Sequence, residues 1–246
     1  MSISGFAEWL ESPLGQYLIA WEQSHIDGVV ADIFGFHALQ VGLPQVEYLR
    51  ENRIGSRFRC CKAVPGGFLA DAHALPIASQ SVDLVVLPHV LEFSAHPHQV
   101  LREVERVLVP EGQVVLAGFN PLSLWGARRY FAGTDGEMPW QGQFLASRRL
   151  RDWLQLLGFD VVGSECGAYI PPVTQARWIE RWRFMDDAGG RWWPIAGGAY
   201  VIQAVKRVQG MRLIAPAWRD RRAKAKKLAP VVQQEAAPIK HNKRTQ

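Results

Sequence analysis

Three side chains suited to polar recognition or proton transfer stand where apolar stretches of the chain end. Asp71, in Asp71-Ala72-His73-Ala74-Leu75-Pro76, offers a carboxylate that accepts hydrogen bonds from a ligand or, as a turn residue, from its own backbone. His89 follows the apolar run Val82-Asp83-Leu84-Val85-Val86-Leu87 and Pro88. Its imidazole, which titrates near neutrality, suits a general base, and it equally suits a hydrogen-bonded pocket wall. Asn120 follows a second run, Gln113 to Phe119, where it either contacts a substrate or turns the chain. His96-x-His98 has the spacing of two metal ligands, but it opens a helix and lacks nearby Cys or acidic ligands, so no metal site is read there. Cys60 and Cys61 are adjacent, without the C-x-x-C spacing of a zinc site, and Cys166 stands apart. Three cysteines fit a reducing compartment better than a disulfide framework, which points to a cytoplasmic protein.

The elements that must position these residues alternate between strand and helix. The two apolar runs read as strands covered on both faces. Between them, His96 to Leu108 places Val100, Leu101, Val104, Val107 and Leu108 on one helical face, and Pro110-Glu111-Gly112 breaks the chain. Strand, crossover helix and strand make a βαβ unit, hence a parallel sheet with right-handed crossovers. Earlier, Pro13 to Phe34 reads as an amphipathic helix with Leu18, Trp21, Ile26, Val29, Val30 and Ile33 inward, Glu22, Gln23 and Asp27 between them, and Gly35 as its stop. Ala38–Val41 and Arg57–Ala63 are strand candidates, with a short helix through Val46, Tyr48 and Leu49 between them. Ser147 to Leu157 is a helix, and Phe159–Val162 and Tyr200–Val205 are the last strands. Asn120–Phe144 and Pro171–Trp193 read as irregular and aromatic-rich. The predicted fold is a Rossmann-like, doubly wound α/β sheet, mostly parallel with an antiparallel last strand, preceded by the N-terminal helix.

The 246 residues suffice for one large α/β domain, assigned to 1–207. No stretch is long and apolar enough to span a bilayer, and Met1 to Ala20 lacks the pattern of a signal peptide. The net charge of +5 is unevenly distributed: Arg207 to Gln246 carries +9 and the preceding residues −4. Residues 208–246, rich in Ala, Lys, Arg, Gln and Pro, are predicted to be a disordered basic tail. Such a tail reads as a solvated terminus or as an RNA-binding supplement acting by counterion release.

The series Asp71-Ala72-x-x-Leu75-Pro76, the strand begun by Asp83, Val90-Leu91-Glu92, then Leu101, Glu103, Arg106-Val107-Leu108, Pro110 and Gly112, resembles the small-molecule class I methyltransferases, type-11-like. The match is closest over Asp71 to Phe119. The resemblance implies S-adenosyl-L-methionine as cofactor, with Asp71 accepting from the adenine amino group and Ala72 reading a ring nitrogen through its amide. It places Gln40 and Gly42 at the turn facing the amino-acid end, and Pro88 and His89 between that end and the acceptor. Ligands of open α/β sheets bind at such strand ends. Two features depart from the family pattern. Its glycine-rich turn is replaced by Leu39-Gln40-Val41-Gly42-Leu43-Pro44, where Leu43 adds bulk and Pro44 removes an amide donor. Its ribose-binding acid is replaced by Cys61-Lys62-Ala63-Val64, a loss worth roughly 1.5–3 kcal/mol of binding. The interval from Gly42 to Asp71 is also short, so one helix is expected to be missing.

Trp178, Trp182, Trp192 and Trp193 either cap an apolar or aromatic acceptor, pack a dimer interface, or fill core. The expected function is transfer of a methyl group to an acceptor, most simply a small apolar or aromatic molecule. The alternatives are a methyltransferase-fold scaffold that has lost its cofactor and an RNA-directed enzyme.

Overall fold

The computed structural model describes residues 5–60, 67, 68, 70–132 and 137–207. In chain order the elements are α1 (Phe6–Leu10), α2 (Pro13–Ala31), β1 (His37–Val41), β2 (Ser56–Cys60), β3 (Gly67–Phe68), β4 (Val82–Pro88) and α3 (Pro97–Val107). There follow β5 (Leu108–Phe119), α4 (Leu124–Ala132), α5 (Ser147–Leu156), β6 (Phe159–Gly167), α6 (Ala176–Arg181), α7 (Phe184–Trp192) and β7 (Ala199–Lys206). The seven strands form one sheet in the order β3-β2-β1-β4-β5-β7-β6. All neighbours up to β5 pair in parallel, and β7 runs antiparallel to both β5 and β6. This is the predicted doubly wound sheet with its reversed last strand.

Alternate residues of each central strand enter opposite layers. Ala38, Leu84, Val86, Val115 and Ala117 face the core beneath α1 and α2, built on Phe6, Leu14, Leu18, Ile26 and Val30. Leu39, Val85, Leu87, Val114 and Leu116 face the opposite core, filled by Val100, Leu101, Val104 and Val107 of α3 and by Leu150 and Leu154 of α5. Helix α2 begins where local chemistry dictates: the Ser12 side chain accepts from the Gly15 amide at 3.1 Å, and Pro13 stands in the first turn. It ends at Ala31, before the expected stop at Gly35.

The short helix expected through Val46, Tyr48 and Leu49 is absent; these residues lie in turns. Their apolar side chains join the core beneath α2, which supplies the cover that a helix between β1 and β2 would otherwise give. The expected missing helix is thus located. Asn120–Phe144 and Pro171–Trp193, expected to be irregular, contain α4 and the pair α6 and α7. Aromatic content hid their periodicity.

The described residues belong to one compact unit. The basic tail, 208–246, and the segment Cys61-Lys62-Ala63-Val64 lie outside the described residues. Among the described residues no helix is long and apolar enough to cross a membrane, and no cluster of His, Cys, Asp and Glu could hold a metal ion.

Candidate active site

The carboxyl ends of β1, β4 and β5, where the candidate residues gather, are closed by a buried polar cluster. His89, at φ +54°, stands just past β4 with no exposed surface. Its Nε2 lies 2.6 Å from Glu22 Oε1 of α2, and its Nδ1 lies 3.0 Å from Glu92 Oε2. Glu22 also accepts from the Tyr48 hydroxyl at 2.5 Å, and Glu92 accepts from the Phe119 amide. Burial, the largest influence, pushes the His89 pKa down, but the Glu22 and Glu92 carboxylates outweigh it and hold the pKa up at about 10. The imidazole is therefore a cation at neutral pH. Burial and the Glu22 charge push the Tyr48 phenol well above its ordinary value. Phe6 packs edge-on against His89, and Phe119 covers it at 4.3 Å between ring centres.

Gln40 and Gly42 shape the turn after β1. Buried Gln40 donates through Nε2 to the carbonyls of Leu43 (3.1 Å) and Val46 (2.8 Å), and its Oε1 accepts from the Tyr48 amide at 3.0 Å. Gly42 has φ +87°, and a Cβ there would stand 2.6 Å from Val90 Cγ2 and 3.3 Å from the Pro88 carbonyl. Leu43 is buried in the core with Phe6 and Leu10. The space this glycine leaves is therefore taken by the protein's own Val90.

Asp71 contrasts with all of these. Its side chain is 64% exposed. Oδ1 accepts from the His73 backbone amide at 3.0 Å and meets His73 Nδ1 at 2.6 Å. These hydrogen bonds hold its carboxyl below the usual range. His73 Nε2 in turn lies 2.8 Å from Ser94 Oγ in the loop after β4. Ala72 is buried beside it.

Asn120 follows β5 and is also buried. Its Nδ2 donates to the carbonyls of Ile195 (2.7 Å) and Gly197 (2.9 Å), and its Oδ1 accepts from the Leu122 amide at 3.0 Å. It thus ties the end of β5 to the segment before β7. Beyond it, Pro121, α4, Tyr169 and α7 enclose an open apolar cavity of about 760 Å³. Trp182 and Trp193 line this cavity; Trp178 and Trp192 do not. Phe119 stacks on Trp125 of α4 at 5.7 Å, so an aromatic wall separates the closed cluster from the open cavity.

Residues 44–116 match the family model described as a methyltransferase domain. Over this stretch the chain is similar to class I methyltransferase domains. It is 32% identical over 156 residues to the uncharacterized protein YafS of Escherichia coli strain K12, covering 63% of this chain and 65% of that one. It is 36% identical over 95 residues to the malonyl-[acyl-carrier protein] O-methyltransferase of Laribacter hongkongensis, covering 39% of this chain and 32% of that one. The chain thus spans less than two thirds of the length of either relative. Among solved structures, its fold is similar to that of a complex between the Haloferax volcanii Trm112 methyltransferase activator and a methyltransferase (TM-score 0.58, 18% identity, 84% and 97% covered). It is also similar to a methyltransferase from Thermotoga maritima (TM-score 0.56, 15% identity, 78% and 93% covered).

The family's cofactor is S-adenosyl-L-methionine. Among the nominated residues at this edge, Asp71 has an exposed carboxylate, and its second oxygen lies outside the His73 contact. The turn after β1 differs from the family pattern, because no helix follows β1 to offer its first amides and Val90 occupies the face of Gly42. Of the residues the sequence nominated, the structure gathers Gln40, Gly42, Pro88 and His89 around one buried centre, while Asp71 and Ala72 lie on the next loop of the same edge. Glu22 was missed. It was read as lying between the apolar positions of α2, whereas Leu14, Leu18, Glu22, Ile26 and Val30 are all buried at four-residue steps. A carboxylate in register with an apolar stripe was the available signal.

Proposed function

We propose that the protein is a cytoplasmic, S-adenosyl-L-methionine-dependent methyltransferase whose acceptor is a small apolar or aromatic molecule. The observation that carries the acceptor class is the cavity of about 760 Å³ between α4 and α7, lined by Leu122, Tyr130, Phe131, Phe184 and Trp193 and opening beside the end of β5. The malonyl-[acyl-carrier protein] O-methyltransferase relative supports oxygen as the accepting atom.

In this reading Asp71 and Ala72 hold the adenine, and Gln40, Gly42, Pro88 and His89 shape the edge next to the amino-acid end. When bound, the cofactor supplies a methyl group already activated on a sulfonium, so the protein's part is orientation and exclusion of water. His89 is assigned a positioning role rather than that of base. Both its nitrogens are spent on glutamates, and its proton is held to about pH 10. Asn120 likewise positions: its amide fixes the floor segment Ile195–Gly197 against β5.

A specific observation favours a second reading, a scaffold of the same fold without a cofactor. Val90 fills the face of Gly42, and Leu43 is built into the core. Calorimetric titration with S-adenosylhomocysteine separates the two. The enzyme reading expects micromolar binding that weakens at least tenfold in Asp71→Ala, whereas no heat at millimolar ligand establishes the scaffold. For the acceptor, Ala127→Trp, inside the cavity, should abolish binding of an apolar fluorophore such as 1-anilinonaphthalene-8-sulfonate. An RNA acceptor would instead require salt-sensitive RNA retention that disappears on removing residues 217–246.

A further inference from the structure

Exposed apolar side chains stand at the mouth of the α4–α7 cavity and next in the chain to residues that line it. Tyr130 is 82% exposed and Phe131 85%, and both line the mouth. Trp192 (71%) and Ile195 (68%) lie outside the lining, so a ligand confined to the cavity leaves them bare. Isolated exposed apolar residues are ordinary on a folded protein; a contiguous aromatic patch around a cavity marks an interaction surface.

Charge on this face selects the partner. Residues 176–193 carry four arginines against three acids, whereas Arg128 and Arg129 of α4 turn to the Pro172 and Gly142 carbonyls and stand over Trp140 and Phe144. The arginines alternate with rings: Arg177 and Arg181 stand over Trp178, and Arg191 directly precedes Trp192. This positive, aromatic face belongs to a body whose net charge is −4. A second copy docking through the same patch about a two-fold axis would bring arginine against arginine. An anionic bilayer surface satisfies both features, since aromatic rings settle at the depth of the headgroups while arginines reach lipid phosphates.

We infer that the α4–α7 face docks on the surface of an anionic lipid bilayer, with the cavity mouth turned toward the lipid. The inference stands on this surface alone and does not need methyl transfer. It is tested by flotation of the full chain with phosphatidylcholine vesicles containing one third phosphatidylglycerol. The expected result is binding that falls at least tenfold in Phe131→Ser/Trp193→Ser and severalfold in Arg191→Glu, with unchanged melting temperatures because these side chains are exposed. Vesicles carrying brominated acyl chains should quench tryptophan fluorescence in the native chain and much less in the double variant. Absence of binding overturns the proposal. Equal binding by the native chain and the double variant also overturns it and assigns the interaction to the basic tail. A dimer detected by light scattering that the double variant abolishes overturns it in favour of a second copy.

Discussion

Two neighbouring regions at the carboxyl edge of the sheet invert the usual distribution of polarity. Over β1, β4 and β5 the protein buries two carboxylates, an imidazolium and a phenol in one hydrogen-bonded cluster. One aromatic wall away, between α4 and α7, it leaves Tyr130, Phe131, Phe184 and Trp193 in water. The closed region is expensive to take apart, because each charge depends on its partner for the solvation it has lost. The open region lacks that coupling and is free to meet something else. Buried charge and exposed rings occupy adjacent parts of one edge.

The closed half can be broken first. Glu22→Ala leaves the His89 cation with one carboxylate and Tyr48 without its acceptor, and should cost about 3–5 kcal/mol in chemical denaturation. The same class of change in the open half, Phe131→Ser, should shift stability by no more than about 0.5 kcal/mol. Leu43→Ala, which empties core beneath α1, should cost about 2–4 kcal/mol. If Leu43 is what limits the cofactor site, the same variant binds S-adenosylhomocysteine more tightly than the native chain; an unchanged or weaker titration refutes that role. Gly42→Ala should cost about 1–3 kcal/mol, from its left-handed backbone and the clash with Val90. In the Gly42→Ala/Val90→Ala pair the steric part is relieved and the backbone part remains, so a double-mutant cycle should show favourable coupling.

Titration sharpens the contrast at a smaller amplitude. The folded pKa of His89, about 10, lies above its unfolded value near 6.5, so its contribution is complete below about pH 6.5 and is lost as pH rises toward 10. Across that window the folded state holds one more proton, and stability should decline by up to about 1.4 kcal/mol per pH unit. His89→Gln should flatten this slope in denaturation curves measured between pH 7 and 9. A slope unchanged in the variant would show that the cluster does not hold its proton.

The order of strands and helices from Val82 to Phe119 was readable because both signals there are local: unbroken apolar runs for strands covered on two faces, and a clean helical period in α3. Asp71 was readable for the same reason, as part of a motif in register with the next strand. Helices α4, α6 and α7 were not, since exposed rings at positions such as Tyr130, Phe131 and Trp192 remove the polar half of the helical period. The enclosure of His89 was not readable, because it rests on a long-range fact, that α2 brings Glu22 to it from 67 residues away.

By itself the sequence determined the α/β alternation, the parallel pairing that a βαβ unit imposes, and the family to which the motif points, because these depend on residues close together in the chain. Only the tertiary structure decided that the histidine after β4 is enclosed, that Gly42 serves Val90, and that the tryptophans divide between cavity wall and open surface. Burial and ion pairing arise from segments that meet in space, and no spacing along the chain records which segments those will be.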